Sequence, residues 1–170
     1  MMIKKPKFWD YKKPSFISFL LTPLTIPIRL NNFFLNYSSK IKPRKIFSIC
    51  IGNIYLGGTG KTPTTIKLYQ ILNSIFKGTV AAKKFYSSQY DEIILLKKKT
   101  KFLTGDNRSE IINKAINSRK KIIIFDDGLQ DKGVNYNLKF VCFDSFNWIG
   151  NGQLIPSGPL REKLNSLKKF

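Results

Sequence analysis

From residue 46 onward, short apolar runs alternate with stretches whose apolar residues recur every three or four positions. Residues 46–51 form an apolar run that stops at Gly52, the pattern of a buried strand. A glycine-rich loop follows, and residues 62–77 then place Ile66, Tyr69, Leu72 and Phe76 at helical spacing. Residues 79–82 and 92–96 read as two further strands. Across 109–118, Ile111, Ile112, Ala115 and Ile116 share one face, which predicts a helix. Residues 121–125 are β-branched and run into two aspartates, and 138–143 give another strand. Strands alternating with helices predict an α/β fold, a largely parallel sheet with helices on both faces.

Residues 1–45 follow a different pattern. They carry ten Lys or Arg against one Asp, a local charge of +9, around an apolar stretch at 16–28. That stretch is shorter than the ~20 residues a membrane span needs, and Pro23 and Pro27 interrupt it. A signal peptide would share the basic start, yet no small-x-small cleavage site follows. Two readings remain. The segment packs as a helix on the domain's own core, or it is an interfacial anchor. In the second, Phe8, Trp9, Tyr11, Phe16 and Phe19 enter the acyl boundary while Lys4, Lys5, Lys7, Lys12 and Lys13 meet an anionic membrane surface. The expected division is therefore 1–45, membrane-associating, and 46–170, nucleotide-binding.

Composition sharpens this only in part. The 170 residues carry a net charge of +20, which favours anionic partners, although Lys, Asn and Ile richness also follows from AT-rich codons. There is no histidine, so Ser-His and Cys-His pairs and imidazole metal sites are excluded within these residues. Cys50 and Cys142 sit inside apolar runs, as small buried hydrophobes in a cytosolic protein do.

The chemistry concentrates in a loop, Tyr55-Leu56-Gly57-Gly58-Thr59-Gly60-Lys61-Thr62, set between a strand and a helix. It resembles the phosphate-binding loop of P-loop nucleotidases, and makes the expected fold P-loop NTPase-like. Glycines let backbone N–H groups converge on an anion, and the helix N-terminus adds its partial positive charge. Lys61 would reach the β- and γ-phosphates of ATP, and the Thr62 hydroxyl would bind Mg²⁺. Tyr55 stands where the consensus has its first glycine. Asp126 and Asp127, at the end of a strand, look like the acidic partner that holds Mg²⁺ directly or through water, one facing the metal and the other capping or orienting. Asp106 is either the N-cap of the next helix or a catalytic carboxylate near the acceptor hydroxyl.

These elements, in this order, resemble the tetraacyldisaccharide 4′-kinases of lipid A biosynthesis. The likeness is carried by Gly52-Asn53, the loop from Gly57 to Pro63, Asp126-Asp127-Gly128-Leu129-Gln130, and the run from Gly150 through Pro156, Gly158 and Pro159 to Glu162. It implies ATP-dependent phosphorylation of the 4′-hydroxyl of a tetraacylated glucosamine disaccharide 1-phosphate, the lipid A precursor. It also implies Mg²⁺ and a peripheral place on the cytoplasmic face of the bacterial inner membrane, with Arg161 as a candidate substrate contact. Four departures stand out. Lys83-Lys84-Phe85-Tyr86 replaces the usual Ser-Arg-Gly-Tyr, and Asn107-Arg108 replaces Glu-Pro after Gly105-Asp106. Asp131 stands in place of a histidine. Family members also run to about twice this length, a two-domain size, so a C-terminal half that completes the enzyme is expected elsewhere. A membrane-associated P-loop ATPase switch acting on a partner is the alternative. Nucleic acid is not an expected partner, because the aromatics sit in strands or in the N-terminal segment.

Overall fold

The computed structural model describes residues 5–37, 41–131 and 133–170, so Lys4 lies outside the described residues. The chain divides into two compact units. One comprises Met1–Ser38, Asn53–Thr59 and Phe143–Phe170, and the other comprises Ser39–Gly52 and Gly60–Cys142.

The second unit is an all-parallel five-stranded sheet of β1 (Phe47–Gly52), β2 (Thr79–Lys84), β3 (Phe102–Gly105), β4 (Ile122–Asp126) and β5 (Leu138–Val141). The strand order is β3-β2-β4-β1-β5. Three helices of this unit connect the strands: α3 (Lys61–Ile75), α4 (Tyr90–Lys99) and α5 (Arg108–Asn117). The steps β1 to β2 and β2 to β3 move one way across the sheet, and β3 to β4 moves back. Right-handed crossovers therefore put α3 and α4 on one face and α5 on the other. The apolar residues agree with this arrangement. Ile49, Ile51, Ala81, Ile122 and Ile124, alternate positions of three strands, form one core cluster with Tyr69 of α3 and Leu96 of α4. Buried Ile111, Ile112 and Ala115 of α5 serve the other face. The expected parallel sheet with both faces covered is what forms.

Residues 92–96, expected as a strand, lie instead inside α4. Five apolar or acidic residues in a row fit either period, and the flanking charges decide. Asp91 and Glu92 fall in the first turn and Lys97, Lys98 and Lys99 in the last, which suits the helix dipole at both ends. Ile93 and Leu96 are buried three residues apart, whereas Ile94 and Leu95 face solvent. The strand of this region is β3, four half-buried residues without a clear apolar pattern.

In the first unit, Lys7–Asp10 make a 3-10 turn, followed by α1 (Phe16–Leu21), a second 3-10 turn at Thr22–Thr25, and α2 (Ile26–Tyr37). Pro23 lies at the start of the second turn, and Pro27 in the first turn of α2, where a missing N–H costs no helical bond. Among the described residues, no helix is long and apolar enough to cross a membrane. The segment is inverted relative to a soluble amphipathic helix: Ser18 and Thr25 are fully buried, while Phe16 is 82% and Leu20 70% exposed. Trp9, expected at the lipid boundary, is buried, and its indole N–H donates to the Pro156 carbonyl at 3.0 Å.

The helical assignment of 92–96 has a direct test in denaturant unfolding. Ile93→Ala should lower stability by about 2–5 kcal/mol, the range for a buried Ile or Leu truncation, and Ile94→Ala by no more than about 0.5 kcal/mol. Comparable losses at the two positions are what a strand over 92–96, buried on both faces, would produce.

Candidate functional site

Strand β1 ends at Gly52, and the chain leaves it through Asn53, a fully buried residue. The Asn53 Nδ2 donates to the carbonyls of Tyr55 at 2.7 Å and Gly57 at 3.1 Å, so one side chain holds the entry to the loop. Leu56, Gly57, Gly58 and Gly60 are exposed, and Thr59 is buried with a hydroxyl that has no partner. Gly60 has φ +74°, a left-handed conformation that any other residue would adopt only with strain. No atom lies within 4 Å of where its Cβ would be, so backbone shape and not crowding explains the glycine. Lys61 and Thr62 then open α3, with Lys61 half-exposed and Thr62 buried.

Tyr55 departs from the loop consensus for a structural reason. Its ring is buried, its hydroxyl donates to Asp10 Oδ1 at 2.7 Å, and it accepts from the Lys5 ammonium at 2.8 Å. Lys5 is thereby tied to Asp10 and Tyr55.

In the sheet unit the centre of the site is Asp126, at the carboxyl end of β4 and fully buried. Residues 122, 124 and 126 of β4 and 79, 81 and 83 of β2 point to the face that carries α3 and α4. One step beyond the paired Ala82 and Phe125, that parity brings Lys83 alongside Asp126. The Lys83 ammonium lies 2.8 Å from Asp126 Oδ2 and 2.6 Å from Glu92 of α4. The Thr62 hydroxyl donates to the same Oδ2 at 2.9 Å, and Thr65, one turn along α3, donates to Oδ1 at 3.0 Å. Burial works against the Lys83 charge, but Asp126 and Glu92 outweigh it and hold the ammonium above the usual lysine pKa.

Asp127 has φ +60° and a different set of contacts. Its N–H donates to the Ile51 carbonyl at 2.8 Å, and its carbonyl accepts from Arg108 at 2.6 Å. Its Oδ1 is buried without a hydrogen-bond partner. Asp106 follows β3 directly and is exposed. It is not the cap of α5: that role falls to Asn107, whose Oδ1 accepts from the Glu110 N–H at 2.9 Å. Arg161, in the first unit, is fixed through its backbone. Its N–H donates to Ile54 and its carbonyl accepts from Asn32. Thr62 and Asp126 are thus brought into contact, while Asp106 makes no side-chain contact to either.

Comparison with known proteins decides the family. The model of the tetraacyldisaccharide-1-P 4′-kinase (LpxK) family matches residues 17–80 and 76–170. The chain belongs to the tetraacyldisaccharide-1-P 4′-kinase family. A tetraacyldisaccharide 4′-kinase from Pelagibacter ubique is 48% identical over the whole chain, which covers 54% of that relative. One from Rickettsia conorii is 32% identical over 94% of the chain and 54% of its own length. A crystal structure of LpxK from Aquifex aeolicus, described as an "apo" form in complex with ATP, superposes with a TM-score of 0.72 at 19% identity. It covers 90% of this chain and 56% of that one, and shows the shared fold. The chain spans about half the length of the curated relatives it matches.

Two of the kinase-family departures prove to be partners. Arg108 is buried and forms an ion pair with Asp131, and its other terminal nitrogen is the one bound to the Asp127 carbonyl. Cys50 is a packing group, its thiol pushed up to about 12 by burial.

The residues expected to hold a metal divide on inspection. Asp126 does not fit as a direct ligand, because three donors, one of them an ammonium, already occupy its two oxygens. Asp127 fits, since its buried Oδ1 is the kind of orphaned oxygen a cation satisfies. Thr62 fits as well: its hydroxyl hydrogen points to Asp126, leaving oxygen lone pairs. Among the described residues no group of three or more His, Cys, Asp or Glu gathers as a ready-made metal site.

The sequence reading missed Lys83 and Thr65. The available signals were a lysine placed two residues after Ala81 on the same strand face, and a threonine three residues after Thr62 on one helix face. Asp126→Ala would leave a buried ammonium with only the half-exposed Glu92 as partner. Denaturant unfolding should show a loss of about 3–5 kcal/mol, as for a broken buried pair. A loss below ~1 kcal/mol would mean the contact contributes little to the fold.

Proposed function

We propose that this chain supplies the ATP-binding half of a lipid kinase that phosphorylates the 4′-hydroxyl of a tetraacylated glucosamine disaccharide 1-phosphate. The observation that carries the reading is the Thr62–Asp126 hydrogen bond, which joins the first turn of α3 to the acidic end of β4. In phosphoryl-transfer proteins this pairing marks the phosphate end of a nucleotide site. The loop 55–62 would wrap the phosphates with backbone N–H groups, with Lys61 as the mobile cation and the unpartnered Thr59 hydroxyl as a further donor. A divalent cation such as Mg²⁺, held by Thr62 and Asp127, would neutralise charge on the β- and γ-phosphates.

Transfer itself needs the acceptor oxygen in line with the γ-phosphorus. The 4′-oxygen forms the new P–O bond as the bond to the β,γ-bridging oxygen breaks, and ADP leaves with that electron pair. The hydroxyl proton passes to a carboxylate. Asp106 is our candidate, since it is exposed at the carboxyl edge of the sheet and is not engaged as a helix cap.

The inverted N-terminal segment supports a peripheral place at an anionic membrane surface, which for this reaction is the cytoplasmic face of the bacterial inner membrane. Phe16, Phe19, Leu20 and Leu24 are all more than half exposed. Large apolar side chains exposed together on α1 and the following turn suit an acyl boundary. Arg29 and Lys163, with Glu162 beside them, line an open hollow of about 250 Å³ whose two cations against one carboxylate suit an anionic headgroup. The Arg161 side chain remains a candidate contact for the substrate phosphate.

Three measurements test the reading. Lys61→Ala should weaken ATP binding, followed by calorimetry, by about 1.5–3 kcal/mol; equal affinity in both proteins would remove the phosphate-loop assignment. For the membrane, Phe16→Ser combined with Phe19→Ser should weaken binding to anionic liposomes by about 2 kcal/mol or more with ATP affinity unchanged. Point changes are the right probe, because truncation would also remove Trp9 and Ser18, which are built into the core of their unit. Joining residues 1–170 to the C-terminal half of the Pelagibacter relative should give disaccharide phosphorylation that Asp106→Asn abolishes with ATP binding retained.

A further inference from the structure

Lys83 is the largest fully buried side chain that carries a charge, with 1% of its side chain exposed. Burying an ammonium is costly unless its environment returns the lost hydration. Here two carboxylates do so, Asp126 at 2.8 Å and Glu92 at 2.6 Å. The position is not a random one in the fold. It lies at the carboxyl end of β2, beside the strand that carries Asp126, and the oxygen it binds is the one that also accepts from Thr62. A cation therefore already sits on one of the two carboxylates expected to hold a metal.

We propose that the Lys83 ammonium is a built-in cation of the nucleotide site: it holds Asp126 for Thr62, keeps that carboxylate from ligating a divalent metal, and makes nucleotide binding by this chain lean on the metal only weakly. The inference rests on the nucleotide-site reading given above. Its physical basis is repulsion between like charges. A divalent ion bonded to Asp126 Oδ2 at an ordinary metal–oxygen distance would lie within about 5 Å of the ammonium nitrogen, in a region with little water to screen it. Asp126 then acts through Thr62 by accepting a hydrogen bond from its hydroxyl. This leaves the Thr62 oxygen and the unpartnered Asp127 Oδ1 as what a metal finds. Lys83 is accordingly a positioning residue.

The test uses Mn²⁺ alone, read by electron paramagnetic resonance, and ATP binding read by calorimetry in Mg²⁺ and in EDTA. In the unaltered chain, removing Mg²⁺ should weaken ATP binding by less than about fivefold, below the ordinary range for coupled sites. Lys83→Met keeps the stem and removes the charge, and should raise Mn²⁺ affinity about tenfold or more by relieving the repulsion at Asp126. It should also make ATP affinity depend on Mg²⁺. Lys83→Arg should behave as the parent in both measurements.

Unchanged Mn²⁺ affinity in folded Lys83→Met would overturn the proposal. So would loss of ATP binding in EDTA by the unaltered chain, a result that needs no variant and decides the matter if Lys83→Met does not fold. Failure of the nucleotide reading looks different: ATP would then bind neither the parent nor Lys61→Ala. In that case the Mn²⁺ titration, which requires no nucleotide, still reports whether Lys83 guards Asp126.

Discussion

A carboxylate removed from water must have its charge and its lone pairs met by donors, and at Asp126 that requirement organises the sheet unit. Thr62 and Thr65 come from α3, Lys83 from β2, and Glu92 of α4 closes the other side of the ammonium. Two strands and two helices thus share one buried charge pair. Because breaking such a pair leaves an uncompensated ion, these elements are bound to keep their register together. The same bonds place the first turn of α3, where the glycine-rich loop delivers its Lys and Thr, against the end of β4. Fold and candidate chemistry depend here on a single oxygen-rich point.

The first unit is held by a different device. The run 150–159 wraps the N-terminal segment with backbone and amide bonds. Asn151 donates to Ser18 Oγ and to the Ser157 carbonyl at 3.0 Å each, and its own N–H reaches the Trp9 carbonyl at 2.9 Å. At Gly150, with φ +56°, a Cβ would collide with that Trp9 carbonyl. A run that carries part of the family resemblance therefore has structural work in holding the N-terminal helices. With their polar residues turned inward to these partners, the apolar ones are left outside, which is the reverse of what helical burial normally selects.

Arg108 and Asp131, two positions that depart from the expected family motifs, meet in the fold. Each taken alone weakens the resemblance, one by replacing a proline and the other a histidine. In three dimensions they form one ion pair, and Arg108 also anchors the carbonyl of Asp127, whose left-handed backbone turns the chain at the end of β4. A buried guanidinium needs such partners, and the chain supplies both within one turn region. Lys83 is a third departure with a local partner, Asp126.

By itself the sequence determined the parallel α/β sheet, four of its five strands, helices α3 and α5, and the glycine-rich loop with Lys61, Thr62 and the Asp126-Asp127 pair. These were legible because their signals are local: strand and helix periods, a left-handed glycine, a β-branched run ending in acid. The short apolar run at 92–96 was not, since five residues fit either period and only the packing of Ile93 and Leu96 against the sheet resolves it. The tertiary structure alone decided that Trp9 faces inward and that Asn107, not Asp106, caps α5. It alone decided that Lys83, 43 positions from Asp126, meets that carboxylate. For Trp9 and Lys83 the physical reason is the same: which distant acceptor meets a donor is set by how the chain folds back on itself, and such separations carry no period that a one-dimensional pattern can register. The Asn107 cap is local, and adjacent Asp and Asn are both good caps, so only the backbone geometry chooses between them.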